Sequence, residues 1–314
     1  MRVYFNRRLR REPWGGGAHF HSAMVDHLVT KGHTVAERLE KGIDVIFMLD
    51  PRHEEGGADA EQLLSFKQRN PRVKLLHRVN ECDQRKGTHG LDEMLLKSMH
   101  AADRVVFISE WLRSYFTLGK HFYSPYFQSD VITNGCNNEW FHPAKYERDF
   151  SKHPIKLVTH HWSDNRMKGF DVYDWLDSFV DGNPRFEFAY IGRYNSTYEP
   201  KNTRLMQPMY GPKLGQELRR HDVYVTASRF EPCGMHHIEG AACGLPVLYH
   251  RDGGGINEIA SKHGEVFHDA ASFEEALTRV IDGYDEYRSR IDHQQLSMER
   301  CCGQYLEIMQ DMTG

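Results

Sequence analysis

The chain has 314 residues, a formal net charge of −4 and 27% charged residues, which is the composition of a globular protein and not of a disordered one. This charge balance gives no reason to expect general affinity for nucleic acids, and no apolar run approaches the ~20 residues that a membrane-spanning helix requires. The length exceeds that of one ordinary compact core, so the sequence favours two domains.

Short β-branched runs alternate with longer amphipathic stretches, which is typical of parallel sheets covered by helices. The strands predicted in the first half lie at residues 2–5, 44–49, 74–79, 104–109 and 129–135. The first strand leads to the glycine-rich segment PWGGG (13–17) and then to a helix that ends at Gly32. Ser109 stands where it can cap the helix that follows the fourth strand.

A polar segment, residues 136–154, is predicted to link the two halves. The elements predicted in the second half are strands at 155–160, 186–192, 222–228 and 246–250, with helices near 169–180 and 215–221. Ser272 and Glu275 have the spacing of a capping box, and a last helix is predicted over about 296–309. We therefore expect two Rossmann-like, doubly wound α/β domains, 1–145 and 146–314, that face each other across a cleft.

The stretch RFEPCGMHHIEGAACGLPVL (229–248) begins at the end of a predicted strand, where sites in such folds lie. Pro232 keeps Glu231 in the loop before the next helix, and Gly234 lets the backbone approach a ligand. The first amides of that helix suit a diphosphate, and Glu239, about one turn in, suits the vicinal hydroxyls of a ribose. For any single glutamate the favoured interpretation is the plain one, in which Glu231 before the helix complements its dipole and Glu239 is an exposed glutamate; the combined spacing favours a nucleotide-sugar site.

The longer segment EPCGMHHIEGAACGLPVLYHRDGGGINEI resembles the signature of the retaining family-four glycosyltransferases of GT-B fold. Glu231 and Glu239 match the paired glutamates of that family, and Gly253, Gly254 and Glu258 match its later glycine turn. The segments THHWSDNRMKGFDV, ITNGCNNEWFHP and PWGGGAHFHSAMVDHLVTKGHTV extend the resemblance over nearly the whole chain, most weakly across 50–130. It implies the GT-B fold, with the last helix packing back toward the N-terminal domain.

The resemblance also implies how the donor diphosphate is held. Lys168–Gly169 matches the family's Lys-Gly pair, and Lys168 would neutralise the leaving diphosphate together with an arginine. The family's arginine usually lies about five residues before that lysine, where this chain has Ser163. Arg166 and Arg193 are the alternatives for that role, and the sequence does not decide between them.

Further donor contacts follow from the same resemblance. Glu239 would bind the ribose and Glu231 the donor sugar. The backbone amides implied to contact phosphate or sugar are those of Gly234, Met235 and His236. The residues implied to bracket the base are Tyr210, Gly211 and Pro212. His161, at a strand end near the expected phosphates, is a candidate sugar or phosphate contact.

The N-terminal half supplies weaker candidates. Phe20 stands where a dinucleotide-binding fingerprint needs its third glycine, so no nicotinamide cofactor is expected, and Gly16 and Gly17 are predicted to close over donor phosphates or the acceptor. The polar segment 77–90 follows a buried strand. Its acceptor candidates are His77, Asn80 and Asp83, with a loop of satisfied polar groups as an equal alternative.

The cysteines and the basic N-terminus bear on compartment and partners. Six cysteines without CxxC spacing and a start without a signal-peptide apolar region favour free thiols and a cytoplasmic protein. Adjacent histidines, as at 160–161 and 236–237, point to different faces, so no metal site is predicted. Arg7, Arg8, Arg10 and Arg11 form either a solvated loop, the favoured interpretation, or a peripheral contact with an anionic surface.

The function expected from the sequence is transfer of a hexose-type sugar, with retention, from a nucleoside-diphosphate sugar to a hydroxyl of a glycan or another acceptor. A UDP-sugar is the favoured donor and a GDP-sugar the alternative, with no cofactor and, in the absence of a clear DxD pair, no metal. A nucleotide-sugar epimerase of GT-B type and a non-catalytic nucleotide-sugar-binding module are the alternatives kept. A glycoside hydrolase would also pair carboxylates but would not need Lys168–Gly169.

Overall fold

A computed structural model describes residues 1–11, 15–118, 128–145 and 148–314, so Pro13 and Trp14 of the glycine-rich segment lie outside the described residues. The chain forms two compact units: Met1–Asn134 with Met298–Gly314, and Gly135–Ser297. The division falls after Asn134, whereas the sequence suggested residue 145. It falls there because the segment after Asn134 joins the second unit, where the Cys136 amide donates to the Leu296 carbonyl over 2.8 Å.

The first unit is built on a parallel sheet. Its strands are β1 (Arg2–Phe5), β2 (Thr34–Ala36), β3 (Val45–Met48), β4 (Lys74–Val79), β5 (Arg104–Phe107) and β6 (Ser129–Val131), in the spatial order β2-β1-β3-β4-β5-β6. Its first helices are α1 (Gly16–Thr30), α2 (Ala60–Arg69), α3 (Asp83–Lys86), α4 (Leu91–Ala101) and α5 (Glu110–Thr117). Ser109 Oγ accepts from the Leu112 amide over 3.1 Å, which confirms the predicted cap of α5.

The second unit is built on another parallel sheet. Its strands are β7 (Ile155–His161), β8 (Phe186–Gly192), β9 (Arg204–Met206), β10 (Val223–Thr226), β11 (Val247–His250) and β12 (Gly264–Phe267), in the order β12-β11-β10-β7-β8-β9. Its helices are α6 (Phe170–Gly182), α7 (Gly211–Leu218), α8 (Met235–Ala242), α9 (Ile256–Ala260), α10 (Ala270–Asp282) and α11 (Tyr284–Ser289). These two sheets with their helices confirm the predicted pair of doubly wound α/β domains.

The last helix, α12 (Met298–Thr313), belongs to the first unit. The ring of Tyr305 lies 5.1 Å from that of Phe20 on α1 and 5.3 Å from that of Phe47 on β3, and all three side chains are fully buried. Aromatic rings at these separations stabilise a core beyond their buried area. The apolar stripe of α12 therefore completes the core of the first unit, as the sequence resemblance implied.

The helix α10 begins earlier than predicted. Its capping box is formed by Asp269 and Ser272, with the Ser272 amide donating to Asp269 Oδ1 over 2.8 Å and the Asp269 amide donating to Ser272 Oγ over 3.0 Å. The predicted box of Ser272 and Glu275 is wrong, because the carboxylate of Asp269 already accepts from the third residue of the helix.

The basic cluster at the N-terminus is largely paired with carboxylates. Arg7 contacts Asp50 and Glu54 at 2.9 and 3.1 Å, Arg10 also contacts Glu54, and Arg11 contacts Asp26. These pairs give the arginines local partners within the first unit, in keeping with the favoured interpretation of a loop. No described helix has the length and apolar character needed to cross a membrane.

Candidate active site

The strand order of the second sheet reverses beside β7. From β7 the chain proceeds outward through β8 and β9 on one side, and through β10, β11 and β12 on the other. Loops that leave neighbouring strands in opposite directions open a crevice at the carboxyl edge of such a sheet, where ligands bind. The strand β7 ends at His161 and β10 ends at Thr226, so the predicted donor residues flank this switch point.

Lys168 is positioned by a tight turn after β7. It ends a 3-10 turn, Arg166–Lys168, and Gly169 follows with a left-handed φ of 84°. A Cβ on Gly169 would lie 2.3 Å from the Ala227 carbonyl oxygen, so only glycine fits here. Lys168 Nζ thereby reaches Glu231 Oε2 at 2.5 Å, and both side chains are buried. Two of the charged residues singled out from the sequence thus form one buried ion pair.

Glu231 lies in a loop held by the glycine turn after β11. Phe230, which precedes it, has a φ of 52° and donates its amide to the Asp252 carbonyl over 2.8 Å. The Gly255 amide donates to the Glu231 carbonyl over 2.9 Å. Gly254, at φ 71°, packs so closely that a Cβ would lie 2.9 Å from the Glu231 carbonyl oxygen. The Gly-Gly turn therefore supports the Glu231 backbone, a role that the sequence motif did not disclose.

Glu239 projects from the second turn of α8 and is buried. Its Oε2 lies 2.7 Å from Nε2 of His160, the penultimate residue of β7. Sequence reasoning missed His160 and selected His161 instead. The available signal was the alternation of a strand, which sends adjacent histidines to opposite faces.

His161 is the last residue of β7 and is fully enclosed. Its Nε2 lies 2.7 Å from the Tyr173 hydroxyl and 3.3 Å from Thr159 Oγ1. The ring of His236 lies 4.8 Å from that of His161, and His236 Nε2 meets Thr226 Oγ1 at 3.0 Å. Burial, followed by the charge of Lys168, lowers the pKa of both imidazoles well below the ordinary value, so both are neutral near pH 7.

The neutrality of these histidines decides where positive charge is available. Neither ring carries charge toward an anionic ligand, so Lys168, the nearby arginines and the amino end of α8 supply it. Gly234 is the N-cap of α8, and no side chain caps the helix there. A Cβ on Gly234 would lie 2.4 Å from the His236 ring and 3.0 Å from Glu231 Cγ, so its lack of a side chain is needed for packing. Met235 and His236 then form the first turn, whose amides have no partner within the helix.

Both candidate arginines lie at this edge of the sheet. The guanidinium of Arg193 lies 4.6 Å from the centroid of the Trp162 ring, and the Arg193 amide donates to the His161 carbonyl over 3.1 Å. Arg166 occupies the exposed start of the turn that ends in Lys168. The structure thus brings Arg193 to the end of β7 through backbone and ring contacts, while Arg166 shares the turn of Lys168.

The residues implied to bracket the base lie at the start of α7. Tyr210 is the N-cap residue of this helix and is 51% exposed, which is unusual for a ring of its size. Gly211 and Pro212 form the first turn. An exposed aromatic ring beside a helix start offers a stacking surface for a base, and this role stays a prediction.

The candidates of the first unit separate into two groups. His77 lies within β4, is 0% exposed and contacts Ser98 Oγ at 3.4 Å; burial lowers its pKa to about 4. Asp83 accepts from Thr88 Oγ1 at 2.7 Å and from the Asp92 amide at 3.0 Å, which ties it to the start of α4. For Asp83 the alternative of satisfied polar groups fits the geometry, whereas His77 Nε2 is buried without a hydrogen-bond partner among the described residues.

The remaining candidates of the first unit lie together. The glycines Gly16 and Gly17 begin α1 and are exposed. A Cβ on Gly17 would lie 3.9 Å from Nδ2 of Asn80, which follows β4. The described residues contain no group of three or more His, Cys, Asp or Glu side chains arranged to hold a metal ion.

The two doubly wound sheets, with the charged carboxyl edge of the second, have the GT-B fold. Residues 182–283 match the family model described as Glycosyl transferases group 1. This segment includes the paired glutamates Glu231 and Glu239 and the glycine turn at Gly253–Gly254, so the resemblance identified from the sequence is confirmed. The family-four assignment is consistent with the match.

One curated relative and two solved structures are similar to this chain. Over 202 residues the chain is 30% identical to a probable sucrose-phosphate synthase from Thermosipho melanesiensis; the match covers 57% of this chain and 47% of that protein, so it spans about half of the relative's length. A sucrose-phosphate synthase from Thermosynechococcus elongatus superposes with a TM-score of 0.69 and 15% identity over 99% of this chain and 98% of its own. Anabaena Alr3699/HepE in complex with UDP-glucose superposes with a TM-score of 0.69 and 12% identity over 99% of both chains. At these identities the two structures establish the fold.

Proposed function

We propose that this chain is a retaining glycosyltransferase that moves a hexose-type sugar from a nucleoside-diphosphate sugar to a hydroxyl of a glycan or another acceptor. The observation that carries the proposal is the juxtaposition, at one switch point, of the Lys168–Glu231 ion pair and the amino end of α8 that bears Glu239. A UDP-sugar is the favoured donor, since a structure of the same fold holds UDP-glucose, and a GDP-sugar is the alternative.

Transfer of the sugar mainly requires stabilisation of the leaving diphosphate. Lys168, an arginine and the first amides of α8 would meet its developing charge, because fixed donors in a buried site need no reorganisation during the reaction. Glu231 would accept from the hydroxyls of the donor sugar. The bond from the anomeric carbon to the diphosphate oxygen would break as the acceptor oxygen adds on the same face, and the acceptor proton would pass to the leaving diphosphate. The anomeric configuration is then retained and no protein nucleophile is required. We propose no metal in this step, since the sequence has no clear DxD pair.

The ion pair constrains how the donor enters. Lys168 Nζ is already engaged by Glu231 Oε2, and a diphosphate oxygen would have to share or replace this contact. Replacement by phosphate would end the contact between Lys168 Nζ and Glu231 Oε2, and this oxygen could then accept from a sugar hydroxyl. Binding of the diphosphate and recognition of the sugar would therefore be coupled through one salt bridge.

Acceptor binding is proposed for the first unit. Gly16 and Gly17 are exposed at the start of α1, with the half-buried Asn80 beside Gly17, and small residues there leave room for a ligand. The six cysteines are free and buried, which fits a reducing compartment, and we propose a cytoplasmic location.

Thermal-shift titration with UDP, GDP, ADP and their common sugars tests the donor site, because a ligand that binds only the folded state raises the melting temperature. Glu239→Ala is expected to reduce the shift. Lys168→Met combined with Glu231→Gln removes the ion pair without stranding one charge, and is also expected to reduce it. The control is Lys152→Met, which alters an exposed lysine of the same unit. If no nucleotide stabilises a well-folded wild type, the proposal is wrong.

The product distinguishes transfer from the alternatives. Incubation of the stabilising nucleotide sugar with and without glycan acceptors, followed by NMR of the anomeric proton, is expected to give an acceptor-dependent product with the donor's configuration. Conversion of the donor sugar without an acceptor would indicate an epimerase. Binding without any turnover over the tested acceptors would favour a non-catalytic module.

A further inference from the structure

A chain of three buried side chains runs from the second sheet to the candidate ribose ligand. The Tyr224 hydroxyl on β10 lies 3.1 Å from His160 Nδ1 and accepts from the His160 amide over 3.1 Å. His160 Nε2 lies 2.7 Å from Glu239 Oε2. Because a carboxylate only accepts, His160 Nε2 donates to Glu239, and His160 Nδ1 meets the Tyr224 hydroxyl on the other side of the ring. The ring is therefore held at both nitrogens.

The surroundings of the Glu239 carboxylate are otherwise poor in donors. Cys136 is buried nearby, and burial together with the negative charge of Glu239 raises the pKa of its thiol well above the ordinary value. Among the described residues, Oε2 is hydrogen-bonded to His160, and Oε1 makes no hydrogen bond. The side chain is 9% exposed. One oxygen is thus fixed by the protein, and the other is available to a ligand.

The tyrosine at the far end of this chain is itself locked. A Cβ on Gly240 of α8 would lie 2.3 Å from the Tyr224 ring, so the ring packs directly on the helix backbone one residue after Glu239. Tyr224 is 0% exposed. Close packing therefore holds the Tyr224 ring in one orientation. This ring connects β10 with His160 of β7 and with the helix that bears Glu239.

We propose that His160 is a positioning residue for the nucleotide ribose. By fixing Oε2 of Glu239, and being fixed in turn by Tyr224, it presents Oε1 to the vicinal ribose hydroxyls. An unsupported glutamate would lose rotational freedom on binding, and a carboxylate held beforehand avoids that cost. The inference rests on the proposed function, since it takes Glu239 as the ribose ligand, and it identifies two residues, His160 and Tyr224, that determine recognition of the sugar of the nucleotide.

The test measures binding of the wild type and four variants to UDP and to 2′-deoxy-UDP by calorimetry, or to the guanosine pair if GDP is the nucleotide that stabilises the wild type. His160→Leu removes the donor to Glu239, and His160→Gln keeps an amide donor. Tyr224→Phe removes the hydroxyl but keeps the ring against Gly240. His221→Gln is the control, because His221 is a buried histidine of the same unit bonded to the Glu217 carbonyl.

The wild type is expected to bind the ribonucleotide about tenfold more tightly than the deoxynucleotide, which is the worth of one hydrogen bond to a charged group. His160→Leu is expected to lose most of this preference, through weaker binding of the ribonucleotide alone. His160→Gln is expected to keep part of the preference for the ribonucleotide. The preference of Tyr224→Phe should lie between those of His160→Leu and the wild type, and His221→Gln should match the wild type.

Three results would overturn the inference. One is a wild type that binds both nucleotides equally; another is a preference that survives in His160→Leu; the third is an equal loss of affinity for both nucleotides. If His160→Leu does not fold, the ratio of ribonucleotide to deoxynucleotide affinity is compared in His160→Gln and Tyr224→Phe instead. A folded wild type that binds no nucleotide at all contradicts the proposed function itself, which distinguishes that failure from the failure of His160 as a positioning residue.

Discussion

Lys168 Nζ and Glu231 Oε2 are 2.5 Å apart, and the two side chains are only 9% and 7% exposed. Two opposite charges removed from water are stable only as a pair, because each alone would remain unsolvated. The same two residues are the proposed contacts of the diphosphate and of the donor sugar. Substitution of one partner therefore changes folding as well as function, and a loss of activity in a single variant is ambiguous.

We therefore predict strong coupling between these two residues in stability. Lys168→Met and Glu231→Gln should each lower the free energy of unfolding, with the lysine change costing about 3–5 kcal/mol because it removes the cation in contact with a buried carboxylate. The double variant should be more stable than the sum of the single effects implies. Urea denaturation of the four proteins measures the coupling energy. Additive single effects would show that the two charges do not depend on each other.

The glycine turn under Glu231 yields a second prediction. Gly254→Ala introduces a Cβ 2.9 Å from the Glu231 carbonyl oxygen at a residue whose φ is 71°, so it should destabilise the protein by at least about 2 kcal/mol and weaken nucleotide binding. Gly182→Ala is the matched control, since Gly182 ends α6 with open space where the Cβ would lie. Calorimetric melting and nucleotide titration of both variants provide the comparison. Equal behaviour of the two would mean that the turn does not support Glu231.

Buried histidines give a third prediction, for acid stability. Burial lowers the pKa of His221 to about 4 and of His237 to about 3, below the ordinary value of 6.5. Between these values the unfolded chain binds a proton that the folded chain does not, so stability is complete above pH 6.5 and falls as the pH drops toward 4. Each such histidine contributes a slope of about 1.4 kcal/mol per pH unit in that window.

Denaturation at pH 5, 6, 7 and 8 tests this assignment. His221→Gln should flatten the decline below pH 6.5 by about one such slope, while His53→Gln, an exposed histidine, should leave it unchanged. A decline that begins only below about pH 4.5 would attribute acid sensitivity to carboxylates and not to the buried imidazoles.

Local sequence patterns were sufficient to predict the bounds of the long, buried strands. The segment 74–79 was predicted with the bounds of β4, and 186–192 with those of β8, because runs of this kind end at turn residues on both sides. The short strands β9 and β12 were not predicted. β9 is largely exposed, and three residues are too few to show an alternation. Pairing with a neighbouring strand, and not intrinsic pattern, makes such segments extended.

The candidate site shows the same division between what local sequence patterns predict and what they do not. Glu231 and Glu239 were recognisable because their relation is one of spacing within a single loop and helix. The bond from Glu239 to His160 joins positions far apart in the chain, and it exists because β7 and β10 are neighbours in the sheet. The support that Gly254 gives Glu231 likewise depends on two loops meeting at a strand edge. These contacts follow from strand order, which no local pattern records.

The exposed ring of Tyr210 yields a fourth prediction. If it stacks on the base, Tyr210→Ala should weaken nucleotide binding about tenfold and change the free energy of unfolding by less than about 0.5 kcal/mol, because the ring is 51% exposed. Tyr210→Phe should retain most of the affinity. The control is Leu205→Ala, at another exposed apolar residue of the same unit. A nucleotide affinity that is equal in all three variants would assign the base to another surface.

The last prediction concerns the arginine that assists Lys168. We expect Arg193, because its guanidinium already lies over the Trp162 ring and its backbone is tied to the end of β7, whereas Arg166 is exposed and would lose more side-chain freedom on binding. Arg193→Gln should weaken binding of the nucleoside diphosphate about tenfold and leave binding of the unphosphorylated nucleoside unchanged.

Arg166→Gln should weaken diphosphate binding less, and the two affinities should be compared at low and high salt, since a lost phosphate contact also reduces the salt dependence. Arg185→Gln is a close control: Arg185 also lies over an aromatic ring, that of Phe186, but at the amino end of β8, away from the switch point. A larger effect of Arg166→Gln than of Arg193→Gln would transfer the role to the turn of Lys168. If Arg185→Gln weakens diphosphate binding as much as the other two substitutions do, all three effects would be explained by the net charge of the unit and not by a contact with the diphosphate.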